Sequence, residues 1–504
     1  MNARIPVALL ALALMGCPKP PPPPVVDAGP PPPSEETVTL LITGAENGYL
    51  LPNPDDQGVS RGGAAELLGR WTSLHGHCAG ALKSDNDGAC PNASTLVLST
   101  GDNGNGASIS SYFRAVPAAE VMGQMGYAAS AFGNRELDFG RAQLLLNAKT
   151  GGFPYLAADL RAKDDDARAI GLIPMKVFTR RGAKIAVIGL TSKKSVTTLM
   201  AGRSAGFEVL ADDAALAEAV PRAQKEGANA VVVITDGCLA TVAPVVEAHP
   251  DWKISVVAGR ACDGTFGEKA GTAALAYPGR HFNDYVAVTM TFAPDHAVKK
   301  VSAEAFEVVN DAKAPAPNAA LAKTIEGWRL KRDQALGEEI GFLKGKLEQT
   351  DPAMSRWLAA AIREQTTADF GLVNRKGMRQ GLAAGKLTKA NVYDVIPFEN
   401  SVVVAQLPGS AVIKAFDNAE ARVSGASKKG SAWVDAKGKP IEADKKYLVA
   451  TLDYLYFGGD NFEIEPHDVG PNFTGMGWQT AVIDWTKKLG TTDKAPLEDA
   501  LKGR

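Results

Sequence analysis

Between residues 37 and 310, short apolar runs recur at 37–43, 95–99, 127–132, 185–190, 228–235 and 254–258. Polar or glycine-rich loops follow them, and helix-like stretches at 63–74, 115–125 and 211–226 lie between. Pro221 interrupts the last of these, where a proline kinks a helix. Such alternation specifies an α/β fold class, and ligands in such sheets bind beyond the strands' carboxyl ends. Asp102, Asn134 and Asp236 all fall at such ends. At 504 residues the chain is too long for one core. Residues 317–339 read as a charged connector helix with Ile325, Trp328 and Leu336 apolar, and a second α/β unit runs from 340 to 504. That leaves 37–316 as the first domain.

The N-terminus has the pattern of a targeting segment. Arg4 supplies the charge, and residues 5–15 form an apolar run too short to span a bilayer. Leu14-Met15-Gly16-Cys17 resembles a bacterial lipobox, which implies a signal peptide at 1–17 with Cys17 lipidated. Residues 18–36 are dominated by proline, which predicts an extended tether reaching roughly 50 Å at about 3.1 Å per residue. The expected location is the cell envelope, with the lipid as the only membrane contact. A net charge of −2 gives no reason to expect nucleic acid as a partner. The expected state is a monomer.

Export exposes the remaining cysteines to an oxidising compartment. Cys78 and Cys90 flank a polar loop and are expected to close it. Cys238 and Cys262 each follow an apolar run and can meet at the edge of one sheet. His75 and His77 lie beside the Cys78–Cys90 loop and are expected to be solvated.

The segment Gly133-Asn134-Arg135-Glu136-Leu137-Asp138 resembles the Gly-Asn-His-Glu-x-Asp signature of two-metal phosphoesterases of the 5′-nucleotidase family. In that signature the Asn binds metal, and the His, oriented by the Asp, protonates the leaving group. Here Asn134 and Asp138 stand in place, but Arg135 replaces the His. An arginine does not exchange a proton near neutral pH. The other metal motifs are altered too. Gly44-Ala45-Glu46-Asn47-Gly48 matches Asn-Asp-x-His-Gly, and Gly101-Asp102 matches the motif whose Asp bridges both metals. Thr235-Asp236-Gly237-Cys238 matches Thr-His-x-Gly, and Ala258-Gly259-Arg260-Ala261-Cys262 matches Gly-Gly-His-x-His. The resemblance implies a metallophosphoesterase-like α/β-β-α sandwich followed by a smaller α/β 5′-nucleotidase C-terminal domain. It also implies that Cys238 and Cys262, whose motifs converge on one metal pair, lie close enough to bond.

Ligand arithmetic argues against the metals. Dications in hydrolases are held by neutral imidazoles, carboxylates and carbonyls. None of the six histidines (75, 77, 249, 281, 296, 467) stands at these strand ends. Two arginines would oppose a metal pair at about 4 kcal/mol per unit-charge contact, taking an effective dielectric near 20. Three readings stand open. Arg135 and Arg260 neutralise Asp102, Asp138 and Asp236 as ion pairs; or they accept a phosphate oxygen; or Asp102, Asn134, Asp236 and a Cys262 thiolate keep one divalent ion such as zinc or manganese.

The C-terminal unit keeps more of the family pattern. Asn374-Arg375-Lys376-Gly377-Met378-Arg379 resembles its Asn-Gly-Gly-Gly-Ile-Arg loop, which implies a base contact for Asn374 and a phosphate contact for Arg379. By the same resemblance, Phe398 and Tyr454 are the two aromatics that sandwich a base, and Asp460 contacts ribose or base. The leading expectation is a protein that binds a nucleotide or related phosphate and hydrolyses it weakly or not at all, without a cofactor. The alternatives are an active phosphohydrolase with rearranged metals and a surface scaffold with both sites vestigial.

Overall fold

The computed structural model describes residues 35–55, 57–79, 94–193, 196, 203, 205–262 and 268–502. The signal with Cys17, nearly all of the tether and Cys90 lie outside these residues. Twelve of the described strands build two sheets. They are β1 (Glu36–Thr43), β2 (Thr95–Ser99), β3 (Tyr127–Ala131), β4 (Tyr155–Leu156), β5 (Met175–Arg180), β6 (Ala183–Leu190), β7 (Ala230–Cys238), β8 (Ile254–Arg260), β9 (Lys269–Ala270), β10 (Ala273–Ala276), β11 (Asp284–Phe292) and β12 (Val298–Glu307). The first sheet runs β12-β11-β1-β2-β3-β4 and the second β9-β10-β8-β7-β6-β5.

The continuous apolar runs of the sequence arise because most strands are covered on both faces. Successive side chains point to opposite sides of a strand. On β1, Val38, Leu40 and Ile42 enter the core between the two sheets, while Leu41 faces an outer layer. On β6 and β7, Ile185, Val187, Val232 and Ile234 face the inter-sheet core, and Ala186, Ile188, Val231 and Val233 face outward. Helices α1 (Ala64–His75), α2 (Val116–Met125) and α3 (Arg141–Gly151) cover the first sheet, and α4 (Asp212–Lys225) and α5 (Leu239–Ala248) cover the second. The result is an α/β-β-α sandwich. Each fully buried Leu, Ile or Val contributes about 1.5–3 kcal/mol to it.

α6 (Ala319–Leu336) begins where the Asn318 side chain accepts from Leu321 N at 3.0 Å. It packs Leu321 and Ile325 into the helix layer of the first sheet, and its Trp328 donates to Glu120 at 2.9 Å. It ends three residues short of the expected 339. Glu339 instead opens a short strand that pairs with Gly385–Thr388. The glutamates at 338 and 339 are good helix formers, but Gly337 closes the helix before them.

A second core lies around α7 (Pro352–Thr366) and α8 (Trp478–Leu489). These helices flank a five-stranded sheet of β13 (Phe370–Asn374), β14 (Ser401–Pro408), β15 (Ala421–Ser424), β16 (Lys446–Leu452) and β17 (Asn472–Gly477), in the order β15-β13-β16-β14-β17. α7 starts with Asp351 capping Ala353 N at 2.7 Å and Pro352 in its first turn. Trp357 and Thr486 join the two helices by a 2.8 Å hydrogen bond. Residues 35–504 form one compact unit. Its two halves meet through Ser108 N donating to Asp394 at 2.6 Å, Arg114–Glu399 at 3.0 Å, and Tyr49 donating to Gln380 at 3.2 Å.

The two histidines beside the Cys78–Cys90 loop are not solvated. His77 is buried, bonded to Thr95 Oγ1 at 2.9 Å and to the Met125 carbonyl at 2.8 Å. His75 is half-buried and meets Tyr285 Oη at 2.9 Å. Both belong to the end of α1, where Gly76 turns the chain back in a left-handed cap. Burial holds both imidazoles below the usual histidine range.

Candidate functional site

The parallel strands β1, β2 and β3 deliver three loops to one end of the first sheet, and the parallel β7 and β8 deliver two from the second. After β2 the chain turns through Gly101 (φ 100°) and Asp102 (φ 61°). The left-handed region is costly for most residues and better tolerated by Asp. After β3, residues 133–138 wrap into a single 3₁₀ turn (Arg135–Leu137). Glu136 ties these two loops together. Its carboxylate accepts Gly133 N at 2.8 Å, Asn103 N at 2.8 Å and Asp102 N at 3.2 Å. Burial, then the nearby Asp102 charge, pushes Glu136 up to about 8. Glu46, in the loop after β1, is also buried, bonded by Thr43 and Ser99, and pushed up to about 7 by desolvation.

Arg260 extends from the end of β8 between two carboxylates. One of its terminal nitrogens reaches Asp102 Oδ2, and the same nitrogen lies 2.6 Å from Asp236 Oδ1. Burial alone would raise Asp102, but the Arg260 and Arg135 charges hold its carboxyl below the usual range. Arg135 pairs with Asp138 at 3.0 Å, and its backbone N–H donates to Asp102 at 3.2 Å. Asn105 adds a 2.6 Å hydrogen bond to Asp138. Cys238 and Cys262 are joined by a disulfide with their Cα atoms 5.6 Å apart, and Cys238 stands opposite Arg260 in the β7–β8 register.

These residues do not fit a two-metal centre. The oxygen donors of the expected set are Asp102, Asp236 and Asn134, and both aspartates are engaged by the Arg260 guanidinium. Ala45 offers no side-chain donor, and the Cys262 sulfur is in a disulfide, which removes the thiolate from the expected single-ion set. Among the described residues no group of three His, Cys, Asp or Glu is arranged to hold an ion.

The C-terminal half supplies the facing wall. Asn374 ends β13 and donates to Asp460 Oδ2 at 2.7 Å, and Tyr454 Oη reaches Asp460 Oδ1 at 3.4 Å. Asp460 lies in a left-handed turn (φ 50°) and is also 3.5 Å from Lys376, which pairs with Glu420 at 3.2 Å. Arg375 also pairs with Glu420, at 3.0 Å, so two neighbouring cations secure this loop. Phe398 receives two guanidinium groups. The Arg135 carbon lies 4.7 Å and the Arg379 carbon 4.8 Å from its ring centroid. Desolvation, then repulsion from Arg135, pushes Arg379 down to about 9, which leaves it charged at neutral pH.

All of the candidate residues of the two halves line one cavity of about 810 Å³: Asp102, Asn134, Arg135, Asp138, Asp236 and Cys262 on one side, and Asn374, Arg379, Phe398, Tyr454 and Asp460 on the other. Cys78 lies apart from it, after α1. The cavity also has a wall that the sequence reading missed. It is built by Thr191, Ser192 and Lys193 after β6, with Asp212 and Thr241 nearby. The signal was available, since residues 191–193 directly follow the apolar run ending at Leu190.

Comparison with known proteins places this geometry. A model of the 5′-nucleotidase C-terminal domain matches residues 339–466. Protein UshA of Yersinia enterocolitica is 26% identical over 467 residues, covering 78% of this chain and 83% of that protein. The 5′-nucleotidase of Vibrio cholerae is 24% identical over 77% of this chain and 81% of its own. A 5′-nucleotidase precursor from Thermus thermophilus shares the fold with a TM-score of 0.74 at 19% identity, covering 91% of this chain and 97% of its own.

Proposed function

The chain belongs to the 5′-nucleotidase family, and from that premise we propose that it binds a nucleotide or related phosphate and carries out little or no two-metal hydrolysis. The observation that carries this reading is Arg260, whose one guanidinium engages both Asp102 and Asp236. A metal-dependent phosphohydrolase uses its ions to activate water and to stabilise developing charge, and it needs an acid for the leaving group. Here a permanent cation stands at each of those places. Arg260 neutralises the carboxylates that would ligate, and Arg135 replaces the proton donor.

The binding half is supported by convergence. Phe398 and Tyr454 offer aromatic faces to a base. Asn374 and Asp460 offer hydrogen bonds to its edge or to ribose, and Arg379 offers a guanidinium to phosphate. In this reading Cys17 anchors the protein to the cell envelope and the proline run holds the folded part away from the membrane.

The test is metal analysis of the purified protein together with phosphate release from AMP and other nucleotides. The expected result is substoichiometric metal and no release above background, with calorimetric binding of AMP. Chelator-sensitive AMP hydrolysis abolished by Asp102→Ala would overturn the reading in favour of a hydrolase with rearranged metals.

A further inference from the structure

The first sheet ends in two unlike edges. At one, β4 is two residues long, and Ile173 bridges to it. At the other, β12 runs for ten residues, pairs with β11 on its inner side and has no strand on its outer side among the described residues. Residues 60–62 meet the chain only past the end of β12, where Gly62 N donates to the Val308 carbonyl at 2.9 Å and Asn310 N to the Ser60 carbonyl at 2.9 Å. Along a bare edge, alternate N–H and C=O groups point outward unpaired, which makes it a template for another strand. Short edges and covering loops guard against this, and among the described residues β12 has neither along 300–306.

The charge of β12 reverses along its length. Lys299 and Lys300 stand near its start, and Glu304 and Glu307 near its end. Lys299 pairs with Glu35, and Glu307 with Arg61 at 2.8 Å. Lys300 and Glu304 are exposed and enter no ion pair among the described residues. Ser302 and Ala303 between them are exposed and small, so another backbone can come close.

We propose that β12 is a self-pairing edge, to which a second copy of this chain adds its own β12, antiparallel, about a two-fold axis at Ser302. Ser302 then faces its own counterpart, and Lys300 of each copy faces Glu304 of the other. Directly opposite residues share one face of the sheet with Cβ atoms about 4.5–5.5 Å apart, so two Lys–Glu pairs form across the axis. On the other face Val301 of each copy meets Ala303 of the other. A parallel, in-register pairing would set like charges against each other, which directs the edge to this single mode. The two six-stranded sheets become continuous. One strand pair buries a surface at the small end for stable complexes, so association is expected at micromolar concentration. The proposal is independent of the nucleotide reading, and it replaces the monomer expected from the sequence.

The experiment is sedimentation velocity of the purified protein from about 1 to 100 µM. It compares wild type, Lys300→Glu, Glu304→Lys and an equimolar mixture of the two variants, with circular dichroism to confirm folding. Wild type is expected to dimerise in this range. Each variant alone sets like charges opposite at both pairs, which weakens association by about 10- to 30-fold. The mixture is expected to recover to within about 3-fold of wild type, because a lysine again faces a glutamate at both pairs. Damage to the fold of either variant would not be repaired by mixing. Monomer at every concentration overturns the proposal, and is the result if another part of this chain or a different partner covers β12. A dimer that both variants leave unchanged also overturns it, because the contact then lies elsewhere. Variants that weaken association alone and are not rescued by mixing overturn the two-fold pairing at Ser302.

Discussion

The two walls of the cleft are held together in different ways. On the N-terminal wall the loops are tied by carboxylate-to-backbone contacts and the carboxylates are paired with arginines. The strand-end turn at Gly101 and Asp102 and the Glu136 clip still hold the loops together, but the cations among the carboxylates are arginines. The C-terminal wall offers aromatic faces and hydrogen-bonding groups, and its loop after β13 is secured by Lys376, which pairs with Glu420 and Asp460. A metal centre fails when a few ligands change, because the ion needs its full donor set. A stacking and hydrogen-bonding pocket loses affinity gradually as contacts are lost. Guanidinium groups supply the charge that the carboxylates need, so these loop ends are neutralised without an ion.

The largest effect that could break this contrast is catalytic. On the proposed reading, in which Ala45, Arg260 and the Cys238–Cys262 disulfide occupy donor positions, no single change is expected to give turnover. Arg135→His should show AMP hydrolysis indistinguishable from background in a phosphate-release assay with zinc or manganese supplied. Losing one such catalytic group commonly costs about 10²- to 10³-fold in rate, and here several are absent together. Turnover in that single variant would mean that the N-terminal wall still assembles a metal site.

Next in size is the structural cost of removing the cation. Arg260→Met leaves Asp102 and Asp236 buried without this partner. Breaking one partner of a buried pair costs about 3–5 kcal/mol, and the partial exposure of the Arg260 side chain reduces this to about 2–3 kcal/mol. Urea unfolding of variant and wild type measures it. An unchanged midpoint would show that water already screens the two carboxylates and that Arg260 is not a structural substitute for metal.

The opposite wall is probed by its aromatics. Phe398→Ala and Tyr454→Ala should each weaken adenosine binding by about 1–3 kcal/mol without lowering the unfolding midpoint by a comparable amount. Phe398 also seats two guanidinium groups, so its change should weaken AMP more than adenosine. Equal losses for the two ligands would separate the stacking face from the arginine seam.

What was legible in the sequence follows the same division. The strand and helix runs of the sandwich are local patterns, and they reappear with ends shifted by a few residues. Strand positions then bring Asp102, Asn134 and Asp236 to one end of the sheets. The meeting of Arg135 with Phe398 was not legible. It joins residues 263 positions apart through the docking of two halves, and no local periodicity encodes that. The burial of His77 was hidden for a related reason. A polar side chain beside a loop reads as solvated until the hydroxyl and carbonyl that receive it are seen. The wall at residues 191–193 was missed although the strand-end rule applied to it, because no motif pointed there.

The smallest effect concerns the carboxyl groups beneath the N-terminal loops. Glu46 is pushed from an ordinary 4.5 to about 7, chiefly by burial, with the Thr43 and Ser99 hydroxyls opposing the shift. A folded-state value raised above the unfolded one means that the folded protein holds this proton more tightly. Its contribution to stability is fully present below about pH 4.5 and declines as pH rises towards 7, by at most about 1.4 kcal/mol per pH unit. Glu46→Gln removes the titration while keeping oxygen and nitrogen for the two hydroxyls to meet. The variant should lose part of the downward slope of unfolding free energy between pH 5 and 7 and be more stable than wild type at pH 8, by about 1–2 kcal/mol. Urea midpoints at pH 5, 6, 7 and 8 measure this. Parallel pH profiles for the two proteins would show that Glu46 stays ionised in its pocket. The carboxylate would then belong with the arginine-neutralised charges of this wall, and the wall would carry one more buried anion than the contrast with its partner assumes.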